Sequence, residues 1–118
     1  MKNLKIITLN FVFFLVLNAN AQNQIAITID DLPFVSELDL KHAEESTDKL
    51  LGKIKKNGIK AVGFVNEKFV VRLGEMDNRT AMLERWLFNG NQLGNHTFSH
   101  ASFNTTSLDD FKTELLKG

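Results

Sequence analysis

Ile59-Lys60-Ala61-Val62-Gly63-Phe64-Val65 is a short apolar run broken only by Lys60 and bounded by Gly58 and Asn66. Such a run fits a strand buried on both faces of a parallel sheet better than a half-exposed one, which would alternate apolar with polar residues. The segment before it is helical in pattern. Leu40, Ala43, Thr47, Leu50, Leu51 and Ile54 recur at helical spacing, Ser36 is the expected N-cap with Asp39 at N3, and Asn57-Gly58 is the expected stop. Lys53, Lys55 and Lys56 suit the negative end of that helix, and His42 reads as a surface histidine on its polar early part. Further upstream, Gln24 to Asp30 (QIAITID) alternates β-branched residues with small or polar ones and reads as a strand, after which Asp31 and Pro33 begin a turn. Strand, helix and strand make a βαβ unit.

The same alternation continues downstream. Glu67 to Gly74 fits either a short helix or a loop, and Glu75 to Asn78 reads as a loop. Met82, Leu83, Trp86 and Leu87 predict an amphipathic helix over 79–89 closed by Gly90, with Trp86 in the core. Asn91 to Thr97 is a third strand, and Ser107 caps a helix over 108–117 whose Leu108, Phe111, Leu115 and Leu116 form an apolar stripe. No internal repeat or low-complexity tract interrupts the pattern. The expected fold class is α/β with a parallel sheet.

Composition narrows the chemistry. The 118 residues are 43% hydrophobic and 24% charged, as in ordinary globular domains, and 14 basic residues balance 14 acidic ones. Without a net basic field, nucleic acid is not an expected partner. Cysteine is absent, so a disulfide framework, a thiol nucleophile and a cysteine zinc cluster are all excluded, and any metal must use His and carboxylate ligands. Residues 1–21 read as a secretory signal peptide: Lys2 and Lys5 precede the apolar Ile6 to Leu17, and Ala19-Asn20-Ala21 fits a cleavage site before Gln22. A membrane anchor is the alternative, but spanning takes roughly 20 apolar residues and this run is shorter. The expected product is exported, to the periplasm or outside the cell, with no stable membrane anchor after cleavage.

Two of the three histidines, His96 and His100, stand four residues apart directly after the third strand. At that spacing both imidazoles can reach one ion. In parallel α/β folds functional residues gather at the C-terminal edge of the sheet, and Asp30-Asp31 closes the first strand at the same edge. One of these carboxylates with two imidazoles is a three-ligand open site for Zn²⁺ or a similar divalent ion. The bland readings are an Asx turn before Pro33 and a surface His pair.

Thr28-Ile29-Asp30-Asp31 resembles the Thr-Phe/Tyr-Asp-Asp motif of the polysaccharide deacetylase family, also called the NodB homology domain or carbohydrate esterase family four. His96-Thr97-Phe98-Ser99-His100 resembles its His-Ser/Thr-x-x-His motif, and Gly58 to Val65 resembles the strand between them. The resemblance implies a fold that is the N-terminal part of a distorted (β/α) barrel of the NodB type, with about three parallel strands and three helices present. It implies that Asp31, His96 and His100 hold a divalent metal, Zn²⁺ first, while Asp30 is the catalytic base. It implies hydrolytic removal of N- or O-acetyl groups from a polysaccharide such as peptidoglycan or a chitin-like glycan. A bound Zn²⁺ lowers its water's pKa to about 7 and polarises an acyl oxygen, and a nearby carboxylate outside the metal's ligand set takes the proton. Thr97 is expected to orient the loop, and Ser99 is not expected to be a nucleophile, having no assigned base.

Two departures qualify the resemblance. Leu32 stands where the family's first motif continues with Gly, which is expected to narrow or reshape the rim. The family's Arg, Asp-Trp and Leu-x-His motifs, the last supplying a general acid, have no match after His100. Residues 22–118 are therefore expected to be a partial domain, cut after the second motif. The rival readings are a metal-dependent hydrolase of another amide or ester and a non-catalytic, secreted glycan-binding remnant.

Overall fold

The computed structural model describes residues 25–34 and 39–118; the expected signal peptide and Ser36 lie outside them. Three strands, β1 (Ile27–Leu32), β2 (Ala61–Val65) and β3 (Gln92–Asn95), form one parallel sheet in the order β1-β2-β3. Helix α1 (Leu40–Lys56) connects the first two strands and α2 (Met76–Phe88) the second two, and α3 (Leu108–Lys117) follows the third. The expected three strands and three helices are all present. Among the described residues, no helix is long and apolar enough to cross a membrane.

Helix boundaries follow from their caps. The N-cap of α1 is Asp39, not Ser36: its carboxylate accepts from the His42 amide at 2.9 Å, and helical geometry begins only at Leu40. At the other end Gly58, with φ +64°, donates to Lys55 O, and Ile59 donates to Ile54 O at 3.1 Å. This is a Schellman motif, and it makes Gly58 the residue whose left-handed backbone turns the chain into β2. The same closure recurs after α2, where Gly90 (φ +75°) donates to Leu87 O and Asn91 to Trp86 O. Helix α2 starts three residues earlier than the apolar spacing indicates, because Asp77 and Asn78 read as turn residues and its N-cap, Glu75, makes no side-chain capping bond. Glu75 is tied to the helix differently, its carboxylate accepting from Arg79 Nε at 2.8 Å.

The core lies on one face of the sheet. Leu51 and Ile54 from α1 and Trp86 from α2 pack with Leu32, Ala61 and Val65, while Ala43 and Thr47 continue the buried stripe of α1. Both crossover helices thus cover the same side, as right-handed βαβ connections require. Gly63 permits this packing: a Cβ there would run into the Leu32 side chain and sit 3.0 Å from the Trp86 ring. The indole donates its N–H to Gln92 O at 2.8 Å, which satisfies its polar atom inside the core. The opposite face of β2, Val62 and Phe64, is only half-buried, so β2 alternates burial where the sequence suggested a strand enclosed on both sides. Glu67–Phe69 forms a single 3-10 turn beyond β2.

Candidate metal centre

The C-terminal rim of the sheet begins with an irregularity in β1. Ile29 pairs with Gly63 and Leu32 with Val65, so β1 spends three steps where β2 spends two. Regular alternation would put Asp31 opposite Val65, in the core. The extra residue gives that place to Leu32, which is buried, and turns Asp31 to the rim with a left-handed backbone (φ +62°). Leu32 thereby packs inward and joins the core, while also lining a depression beside Asp30 and Asp31. A bulge re-aims a side chain next to a site at the cost of local strain.

A second irregular segment faces it. The ladder between β2 and β3 runs one residue past the strand, with the His96 amide donating to Val65 O at 2.9 Å. Beyond it, Thr97 (φ +65°) and His100 (φ +62°) also have left-handed backbones. Among the described residues, Asp31, Thr97 and His100 are the only non-glycine residues with positive φ, and all three lie at this rim. Such conformations persist only where the surroundings over-determine them. Here Asn66, fully buried, donates its side-chain amide to both His96 O (2.6 Å) and Thr97 O (2.9 Å), and its backbone amide donates to Leu32 O. Asn95 Oδ1 accepts from the Thr97 amide at 2.7 Å. On the far side, Glu114 Oε2 accepts from both the amide and the hydroxyl of Ser99, each at 2.7 Å. These bonds hold the Glu114 carboxyl below its usual carboxylate range, the Ser99 hydroxyl contributing most.

The result is a convergence of donors. His96 Nε2 and His100 Nε2 each lie 3.7 Å from Asp31 Oδ1, and the three ligand atoms fall within 4.8 Å of one another. The two imidazoles meet edge to face, at 83°. Asp31 Oδ1 is buried without a hydrogen-bond partner among the described residues. Buried carboxylate oxygens are ordinarily satisfied, so this orphan atom between two imidazole nitrogens calls for a cation. Donors on a tetrahedral ion with bonds of 2.0–2.1 Å stand about 3.4 Å apart. The two Asp31–imidazole spacings of 3.7 Å come near this, and with spacings in the cluster of up to 4.8 Å an ion would draw the donors together. The residue types and geometry fit a divalent metal of the zinc kind.

Asp30 is exposed beside Asp31 and makes no hydrogen bond or ion pair among the described residues. Thr97 is buried, but its hydroxyl has no partner, so Asn66, Asn95 and Glu114 orient the loop where Thr97 was expected to. Ser99 does have a carboxylate neighbour, Glu114, which sequence spacing did not pair with it. That oxygen also holds the Ser99 amide and its acidity is raised, so it anchors the loop and is a poor base for a nucleophilic hydroxyl. His42 is exposed on α1 against Phe34, away from the cluster. Asn66 and Glu114 carried no recognisable signal in sequence, because their roles arise from contacts across 30 and 15 positions. A shallow depression of about 220 Å³, lined by His96, Thr97, His100, Ala101, Phe103 and Phe111, adjoins the cluster.

The chain is similar to known proteins in sequence and in fold. Residues 18–118 match the family model described as polysaccharide deacetylase. The chain is 30% identical over 95 residues to a peptidoglycan-N-acetylglucosamine deacetylase of Bacillus cereus, a match covering 80% of this chain and 29% of that protein. It is 31% identical over 93 residues to a chitin deacetylase of a Pestalotiopsis species, covering 79% of this chain and 27% of the other. The chain thus spans less than a third of the length of these relatives. Among solved structures, the peptidoglycan deacetylase of Bacillus subtilis superposes with a TM-score of 0.61 at 27% identity, covering 80% of this chain and 40% of that one. The sheet, its two crossover helices and the rim belong to the barrel-type fold of those enzymes. With the family model spanning the described sheet and both motifs, the chain belongs to the polysaccharide deacetylase family.

Proposed function

We propose that the protein removes acetyl groups from a polysaccharide, peptidoglycan or a chitin-like glycan, and that Asp31, His96 and His100 hold the divalent metal, Zn²⁺ first, on which this depends. The observation that carries the reading is the convergence of these donors on the buried, unpartnered Asp31 Oδ1. When bound, such an ion supplies an activated water and polarises the acyl oxygen. Asp30, exposed beside the cluster and free of ion pairs among the described residues, takes the proton as base. The bulge in β1 separates the two roles, turning one of two adjacent carboxylates toward the imidazoles and leaving its neighbour in solvent reach. Asn66 and Asn95 hold the backbone at His96 and Thr97 and keep Thr97 in its left-handed conformation.

The reading is tested by acetate release from acetylated peptidoglycan and from chitin oligosaccharides by the full-length protein. Asp30→Asn is expected to abolish release while leaving metal content unchanged, whereas His100→Ala is expected to lose both. Release that survives both substitutions, or that survives chelation, contradicts the reading. Export is proposed on the leader reading of residues 1–21, and the N-terminal sequence of the secreted protein is then expected to begin at Gln22; retention of Met1 would contradict it.

A further inference from the structure

Helix α3 is attached to the protein in an unusual way. None of its residues is buried, and Leu108, Leu115 and Leu116 are at least half exposed. Phe111 meets the Phe103 ring edge to face at 5.0 Å, and the other ties of the helix are polar contacts that converge on the histidine loop. Glu114 Oε2 accepts from Ser99 N and Ser99 Oγ at 2.7 Å each, while Glu114 O accepts from Phe98 N at 3.0 Å. Leu115 O accepts from Asn95 Nδ2 at 2.8 Å, and Lys117 Nζ lies 5.5 Å from the centre of the Phe98 ring. One turn of α3 therefore holds Asn95, just before His96, and Phe98 and Ser99, just before His100.

That segment contains two of the three left-handed non-glycine residues at the rim, and Ser99 directly precedes one of them, His100. Asn66 and Asn95 restrain the His96 and Thr97 side of the loop. Among the described residues, no hydrogen bond from the sheet restrains the His100 side, and His100 is the more exposed ligand, at 59% against 28% for His96. Glu114 fills that gap.

We infer that Glu114 is a positioning residue for the metal centre: by binding both Ser99 donors through one carboxylate oxygen it fixes the backbone of His100 and so sets how closely the second imidazole approaches Asp31. The inference rests on the reading of Asp31, His96 and His100 as ligands. Charged acceptors make the stronger hydrogen bonds, and two donors on one oxygen fix a direction as well as a distance. Residues that orient metal ligands typically change affinity 10- to 100-fold when removed. Acting through Ser99, Glu114 belongs at the lower end of that range.

Co²⁺ titration of the full-length protein is the test, because visible absorption of the bound ion reports its coordination geometry. Glu114→Ala is expected to weaken Co²⁺ binding on the order of tenfold and to change the band shape. Glu114→Gln, which keeps an oxygen acceptor, is expected to restore the spectrum and most of the affinity. Leu116→Ala, on the same helix and pointing to solvent, should leave both as in the wild type. Should Glu114→Ala fail to fold, Ser99→Ala removes one of the two bonds and is expected to give a smaller shift in the same direction. A wild-type spectrum and affinity in Glu114→Ala overturns the inference. In metal-free protein, Glu114→Ala is expected to lose hydrogen-exchange protection at the Ser99 amide, whose acceptor is the side chain, while the Phe98 amide keeps its bond to the backbone carbonyl of residue 114. Unchanged protection at Ser99 overturns the inference whether or not metal binds, whereas a wild type that takes no Co²⁺ overturns the ligand reading itself.

Discussion

Helices α1 and α3 read alike in sequence, each an apolar stripe behind a capping residue, yet the structure uses them in opposite ways. Helix α1 buries Ala43, Thr47, Leu51 and Ile54 against the sheet. Helix α3 has its expected cap, with Ser107 accepting from the Asp110 amide, but fully buries no residue and holds its neighbours mainly by hydrogen bonds, beside one ring contact from Phe111 to Phe103. The candidate site straddles this difference. Asp31 is anchored to the packed half by Leu32 next to it, whereas His96 and His100 sit on a loop held by Asn66, Asn95 and Glu114. Apolar packing fixes one of the three candidate ligands and a polar lattice fixes the other two.

Substitutions can break that contrast at either end. Trp86→Ala, which empties a ring only 1% exposed, is expected to cost about 3–5 kcal/mol in denaturant unfolding. Gly63→Ala overpacks the same place, because the new Cβ meets the Leu32 side chain and Trp86, and about 1–3 kcal/mol of destabilisation is expected. Since Leu32 adjoins Asp31, this core substitution should also weaken metal binding, which calorimetry would detect. Asp31→Gly goes the other way. Glycine accepts φ +62° without strain, so metal-free protein should gain about 1 kcal/mol while losing all stabilisation by Zn²⁺. Leu116→Ala, at 87% exposure, should stay within about 0.5 kcal/mol of wild type.

Two carboxylates give the contrast a pH signature. Glu114 is held below its usual value near 4.5, so its contribution to stability is complete above that value and is lost as pH falls through its lowered value in the folded protein. Glu67 is raised by burial, and its Oε2 has no hydrogen-bond partner. Its ionisation therefore costs stability as pH rises from about 4.5 through the raised value. At neutral pH, Glu67→Gln should move the denaturation midpoint up and Glu114→Gln should move it down, and both differences should vanish in acid. Differences of the same sign would show that these carboxylates do not behave as their surroundings dictate.

Much of this was legible beforehand where the signal is local. The βαβ order follows from Gly58 and the apolar run behind it, and the histidine pair announces itself by spacing alone. Local signals mislead where a non-local partner decides. Glu75 caps α2 without a capping side chain, so that helix starts earlier than its pattern shows. The bulge that moves Asp31 out of the core is invisible in Ile29-Asp30-Asp31-Leu32, because it exists only relative to the register of β2. Leu32, read as a departure at the rim, is a core residue for the same reason. Asn66 and Glu114 look like ordinary polar residues until the loop they hold is seen.

Calorimetric titration of the full-length protein with Zn²⁺, repeated with Asp31→Asn, His96→Ala and His100→Ala, tests the central claim most directly. One equivalent bound by the wild type and lost or greatly weakened in each variant is the expected result. Uptake unchanged by all three substitutions would contradict the claim that these residues form one metal site.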